Sequence, residues 1–163
     1  AYIDEAQQTF RDLGFEIEVL DIASCDRETA QAKIFQSKIL YISGGNTFYL
    51  LQELKKKQLL SLIKEQIRDG LIYVGESAGA IITAKDIDYN KLMDDKTVAK
   101  ELSDTTGLNE VEFYILPHYG EEPFTDSSKK TFETYKKQLE LLPLHNHQAI
   151  IVNDEQIDIL TIE

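Results

Sequence analysis

Gly75-Glu76-Ser77-Ala78-Gly79 sets a serine between two glycines, the spacing that a hydroxyl nucleophile on a sharp strand-to-helix turn requires. A serine hydroxyl attacks poorly until a base takes its proton, and an imidazole is suited to that near neutral pH. Of the three histidines, His118 in L-P-H-Y directly follows an apolar run, which makes it the candidate base. The same turn would aim the Ala78 N–H at an oxyanion formed on an attacked carbonyl. A second donor is available in the backbone of Gly44-Gly45, where a missing Cβ lets the chain approach a substrate. Each such donor is typically worth a factor of ~10²–10³ in rate. Asn46, in that glycine turn, is a candidate substrate-binding residue. Alone, G-x-S-x-G also reads as a small-residue corner where a strand enters a helix, so its meaning rests on the elements around it.

Those elements alternate. Residues 1–13 carry a helical pattern that stops at Gly14, and F-E-I-E-V-L-D-I (15–22) has strand character. Residues 24–37 read as a short helix with Asp26 or Ser24 as N-cap, followed by an apolar strand at 38–43. Helical periodicity runs through 46–70 with a break near Lys57, and Leu71–Val74 is a second buried strand that leads into the serine turn and a helix beginning S-A-G-A-I-I-T-A. Residues 85–110 carry loop signals, 111–116 form a strand, and 127–142 an amphipathic helix. The chain then reads as a hairpin, 149–152 and 156–162 around Asn153-Asp154-Glu155. Such alternation predicts an α/β fold of three layers, a mostly parallel sheet with helices on both faces and a C-terminal β-hairpin. In such sheets chemistry collects at the carboxyl ends of strands. Three successive strand ends here present a glycine turn, the serine turn and His118.

Bulk properties bound the rest. A length of 163 residues predicts one domain over 1–163, with no repeat or linker. A helix with no element before it predicts that residues of the native N-terminus are missing, a strand and helix by the resemblance given below. The net charge of −12, with no basic stripe, argues against a nucleic-acid partner. No apolar run nears the ~20 residues a bilayer span needs, so no membrane partner is expected. Cys25 is the only cysteine and predicts a reducing compartment, with cytoplasmic placement the expectation. His145 and His147 flank Asn146, but no carboxylate or cysteine cluster accompanies them, so no metal or other cofactor is expected.

Together, G-G-N-T-F-Y-L-L, Y-V-G-E-S-A-G-A and L-P-H-Y resemble the peptidase E (aspartyl dipeptidase) family of serine peptidases, which includes cyanophycinases. The resemblance spans essentially the whole chain. It implies a fold like class I glutamine amidotransferases with serine in place of cysteine, Ser77 as nucleophile, His118 as base, and the Gly45 and Ala78 N–H groups as oxyanion hole. A small peptide would be the substrate, and the protein a monomer or homodimer. Two departures stand out. At the position of the family's third, acidic triad member this chain has Asn146, which can fix an imidazole tautomer but brings no full charge. Asp94 or Asp95 resembles another acidic position important in the family, and either could assist. Downstream of His118, G-E-E-P-F-T-D-S-S-K-K offers only Lys129 and Lys130 where aspartyl dipeptidases carry arginine, so specificity for N-terminal aspartate is not expected. A catalytically idle binding domain, or a hydrolase of a non-peptide amide or ester, remain open readings.

Overall fold

The computed structural model describes residues 2–162; Ala1, where the expected first helix begins, and Glu163 lie outside the described residues. Helix α1 (Tyr2–Asp12) stops where Gly14 turns the chain at φ 86°, and the Phe15 N–H returns to the Phe10 carbonyl. Helix α2 (Arg27–Gln36) starts at Asp26, whose carboxylate accepts from the Thr29 N–H at 2.7 Å, so Asp26 and not Ser24 is the cap. Strand β1 (Ile39–Ile42) leads to α3 (Thr47–Lys56) and α4 (Leu60–Arg68), and the break between those helices falls at Gln58, held at φ 55°. Strand β2 (Ile72–Gly75) pairs parallel with β1, Ile42 opposite Gly75. Phe48, Leu51, Leu59 and Ile63 pack with Ile82, Ile87 and Leu108 into the main core.

The remaining strands complete an α/β fold. Strand β3 (Tyr114–Leu116) pairs parallel with β4 (Leu141–Pro143), and α6 (Thr125–Tyr135) connects them. Strands β5 (Gln148–Asn153) and β6 (Gln156–Thr161) form the expected antiparallel hairpin, with Asp154 at φ 52° in its turn.

Four sequence expectations change. Residues 15–22, expected as a strand, join no ladder; Phe15 and Val19 are exposed, and among the described residues no strand lies beside them to take their backbone groups. Among the described residues the strands form three separate two-stranded ladders, two parallel and one antiparallel, where one continuous sheet was expected. Residues 141–142, expected at the end of a helix, are instead in β4. Their short apolar run fits either period, and pairing with Tyr114 and Ile115 decides it. The helix after the serine, α5 (Ala78–Ile81), is a single turn. Returning chain takes its onward carbonyls: Leu108 N–H donates to Ile82 and Asn109 N–H to Ala84. Finally, 85–110 is not merely a polar loop. It buries Ile87, Tyr89, Asn90 and Leu108, and coils into short 310 turns at Asp88–Leu92 and Lys96–Val98.

One contact fixes how α5 sits on the strands. A Cβ on Gly79 would lie 2.1 Å from the Ile42 carbonyl oxygen, so helix backbone touches strand backbone there. Gly75 faces the same crowding from the Gly79 carbonyl at 2.5 Å. Tyr73 seals the corner, its hydroxyl donating to the Gly79 carbonyl at 2.6 Å. Burial pushes that phenol above its ordinary range and keeps it a donor. Substituting Gly79→Ala is expected to cost about 3 kcal/mol or more in urea unfolding. By contrast Gly70→Ala, where nothing lies within 4 Å and only the φ of 102° resists, should cost about 1–2 kcal/mol.

Candidate active site

Ser77 occupies the junction of β2 and α5 at φ 50° and ψ −109°, a conformation that non-glycine residues rarely hold. Strain of this kind costs of order 1–3 kcal/mol and persists only where the surroundings impose it. Here the imposition is visible. The Glu76 N–H is bonded to the Ile42 carbonyl at 2.9 Å, the Gly79 N–H to the Glu76 carbonyl at 2.9 Å, and both flanking glycines are pressed against backbone. The side chain of Ser77 is thereby raised off the strand end.

His118 follows β3 and Pro117 at φ 56°. Its Nε2 lies 2.9 Å from the Ser77 Oγ, and its Nδ1 lies 2.7 Å from the Asn146 Oδ1. An amide oxygen only accepts, so Nδ1 carries the proton and donates to it, leaving Nε2 to accept from the serine hydroxyl. Asn146 reaches the ring because β4 runs beside β3. The Leu144 N–H donates to the Leu116 carbonyl and the Tyr119 N–H to the Leu144 carbonyl, both at 2.9 Å, which draws the 145–147 turn against His118. Serine, imidazole and amide thus form one hydrogen-bonded chain across three strand ends.

The glycine turn follows β1, the strand paired with β2. Gly45, at φ 136°, precedes α3, and Asn46 caps that helix by accepting from the Tyr49 N–H at 3.0 Å. Among the described residues neither the Gly45 nor the Ala78 N–H has a hydrogen-bond partner, so both donors are available to a ligand. Asp94 and Asp95 are spent on holding this turn rather than the imidazole. The Asp94 carboxylate accepts from the Thr47 N–H at 2.8 Å, the Thr47 hydroxyl at 2.6 Å and the Asn90 amide at 3.0 Å. Asp95 gives its carbonyl to the Asn46 amide at 2.9 Å, while the Thr97 hydroxyl and then the Thr97 N–H hold its carboxyl below the usual carboxylate range. Asn46 is therefore a cap tied to the 94–97 loop as well as a neighbour of Gly45.

His145 and His147 stack on each other at 5.6 Å, and the His145 Nδ1 stands 3.4 Å from a Glu121 carboxylate oxygen. Sequence reasoning passed over one neighbour of the imidazole, Phe124, whose ring stacks on His118 at 5.1 Å. Its only signal was an aromatic residue soon after P-H, which no spacing rule picks out.

Comparison with known proteins agrees with this architecture. The model of peptidase family S51 matches residues 1–160. The chain belongs to that family. It is a hydrolase of the peptidase E kind, built on the corresponding α/β fold. An uncharacterised peptidase of Pasteurella multocida is 44% identical over 154 residues, covering 94% of this chain and 74% of that protein. The peptidase E of a Nostoc species is 28% identical over 162 residues, covering 99% of this chain and 62% of that one. A crystal structure from Listeria monocytogenes, provisionally described as a peptidase E protein, superposes with a TM-score of 0.93 at 35% identity, covering 99% of this chain and 78% of that one.

Because Thr47 is fully buried, Asp94→Ala strands its N–H and hydroxyl and removes a bond at the start of α3. A loss of about 1–3 kcal/mol in urea unfolding is expected, with Asp94→Asn, which keeps an acceptor, losing less.

Proposed function

We propose that the protein is a serine peptidase that cleaves small peptides, in the manner of a dipeptidase, through an acyl-enzyme on Ser77. The observation that carries this is the hydrogen-bonded chain from the Ser77 Oγ through His118 to the Asn146 Oδ1, at 2.9 and 2.7 Å. Those distances lie within the range in which a general base takes a proton. In this reading His118 Nε2 accepts the serine proton as Oγ bonds to the carbonyl carbon. The oxyanion that results is met by the Gly45 and Ala78 N–H groups. Collapse breaks the C–N bond, and His118 passes its proton to the departing amine. Water then repeats the sequence against the ester, returning the serine. The chemistry uses only these side chains and backbone donors.

Asn146 shapes the expected rate. It orients the imidazole, as an asparagine does in the Cys-His-Asn arrangement, but leaves the transient imidazolium without a partner charge. That favours a slow enzyme, and it is the specific feature behind a second reading in which the site hydrolyses a non-peptide ester or amide, or binds without turnover. The only basic residues downstream of His118 and before its partner strand are lysines, Lys129, Lys130, Lys136 and Lys137, so no preference for an acidic N-terminal residue is proposed. We place this activity in the cytoplasm on the ground of the single cysteine, Cys25, and the reducing compartment it suggests.

Incubation with a dipeptide library should release free amino acids, and Ser77→Ala should lower that release at least 10³-fold. Equal release by both proteins would overturn the assignment. Asn146→Ala, which frees the imidazole to rotate and change tautomer, should lower kcat by one to two orders of magnitude while leaving KM within a few-fold, measured on whichever dipeptide is best cleaved.

A further inference from the structure

The chain after His118 folds back on itself in two successive turns. The Glu121 N–H donates to the His118 carbonyl at 3.0 Å, and the Phe124 N–H to the Glu121 carbonyl at 2.7 Å. Gly120, at φ 73°, allows the first turn, and its N–H is held by the Ser128 hydroxyl of α6 at 3.0 Å. Ser128 is fully buried, and its own N–H returns to the Phe124 carbonyl at 2.8 Å. The outcome is that the half-buried Phe124 ring lies against one face of the imidazole, centroids 5.1 Å apart and planes inclined by 23°.

Consider what the imidazole meets when it takes the serine proton. Its two nitrogens are engaged by Ser77 and Asn146, neither of which carries charge. Among the described residues no charged group on the surrounding elements hydrogen-bonds or ion-pairs with the His118 ring, and Glu122 accepts from the Thr125 hydroxyl. Glu121 faces His145, which stacks on His147 and meets Tyr119 edge-on at 6.1 Å. Glu76 accepts from the Tyr41 hydroxyl, and Lys129 runs alongside Gly120. The remaining partner is the benzene face. An aromatic face carries negative potential and attracts a cation held over it within about 6 Å of the centroid.

We propose that Phe124 is a positioning residue for His118 whose π face stabilises the imidazolium, supplying part of what a carboxylate at position 146 would supply by charge. The proposal rests on the reading of Ser77 and His118 as nucleophile and base. The proton moves from the Ser77 Oγ to the His118 Nε2 and onward to the leaving group. Phe124 gains and loses nothing, and acts only on the energy of the protonated ring.

Three variants separate charge stabilisation from packing: Phe124→Leu, Phe124→Trp, and pentafluorophenylalanine introduced at 124, which keeps the ring but reverses its electrostatic face. Two measurements are made on each. NMR titration of the His118 ring needs no substrate, and the rate of Ser77 labelling by a fluorophosphonate probe separates kinact from KI. The leucine and pentafluoro forms should titrate at a midpoint lower by about 0.5 or more on the pH scale, since the protonated form has lost its stabilisation. Their kinact should fall about 3- to 30-fold with KI within twofold, and tryptophan should match or exceed the native protein in both. A pentafluoro form that titrates and labels like the native protein would overturn the proposal, leaving the ring as packing only. Absence of labelling in the native protein would instead refute the nucleophile, and the titration midpoints would still decide the role of Phe124.

Discussion

The backbone of α5 rests on the backbone of β1 at Gly79 and Ile42, and the site hangs from that contact. No side chain fits between them, since a single Cβ would approach the Ile42 oxygen to 2.1 Å. The Ile42 carbonyl also receives the Glu76 N–H, so one strand terminus pins both ends of the serine turn. Held in this way, Ser77 cannot relax from φ 50° to an ordinary helical or extended geometry without lifting α5 off the strands. The strain at the serine is thus sustained by glycine packing one turn away, a local cost offset by the core that α5 helps to build with Phe48, Ile82 and Leu108.

The other members of the site are brought in by separate devices. Parallel pairing of β3 with β4 sets His118 and Asn146 at adjacent strand ends, and Leu144 ties them with one bond on either side. The glycine turn is held by its own helix cap and by a loop more than forty residues away, through Asp94 and Asp95. None of these devices shares a residue with another. The geometry at the serine therefore depends on the register of the strands more than on any one side chain, which is how a site on an α/β scaffold tolerates an asparagine where relatives of the peptidase E kind are expected to carry an acid.

Much of this was legible in the sequence, and the reasons differ by residue. Ser77, Gly45 and His118 could be singled out because each lies just past a short apolar run, and a strand end is a place as well as a conformation. Asn146 came only through family resemblance, since its proximity to His118 depends on β4. That strand is three residues long and pairs with chain 27 positions away, too short and too remote for periodicity to reveal. Asp94 was noticed through the family resemblance, but its contacts were not foreseeable: the bonds to Thr47 arise from the fold of a loop whose buried Ile87, Tyr89 and Leu108 are scattered among polar residues. Phe124 was invisible because two hydrogen-bonded turns, not a repeat, carry it back to the imidazole. Residues 15–22 read as a strand on pattern alone, yet a strand is completed only by a neighbour.

The central claim is that Ser77 is the atom acylated. It is tested most directly by mixing the protein with a p-nitrophenyl ester, quenching in acid within the first turnover, and weighing the intact chain and its peptides. The account predicts a burst of nitrophenolate matching the enzyme concentration and one acyl group on Ser77, absent in Ser77→Ala. Hydrolysis that proceeds with no adduct on Ser77, or that survives its replacement by alanine, would contradict it.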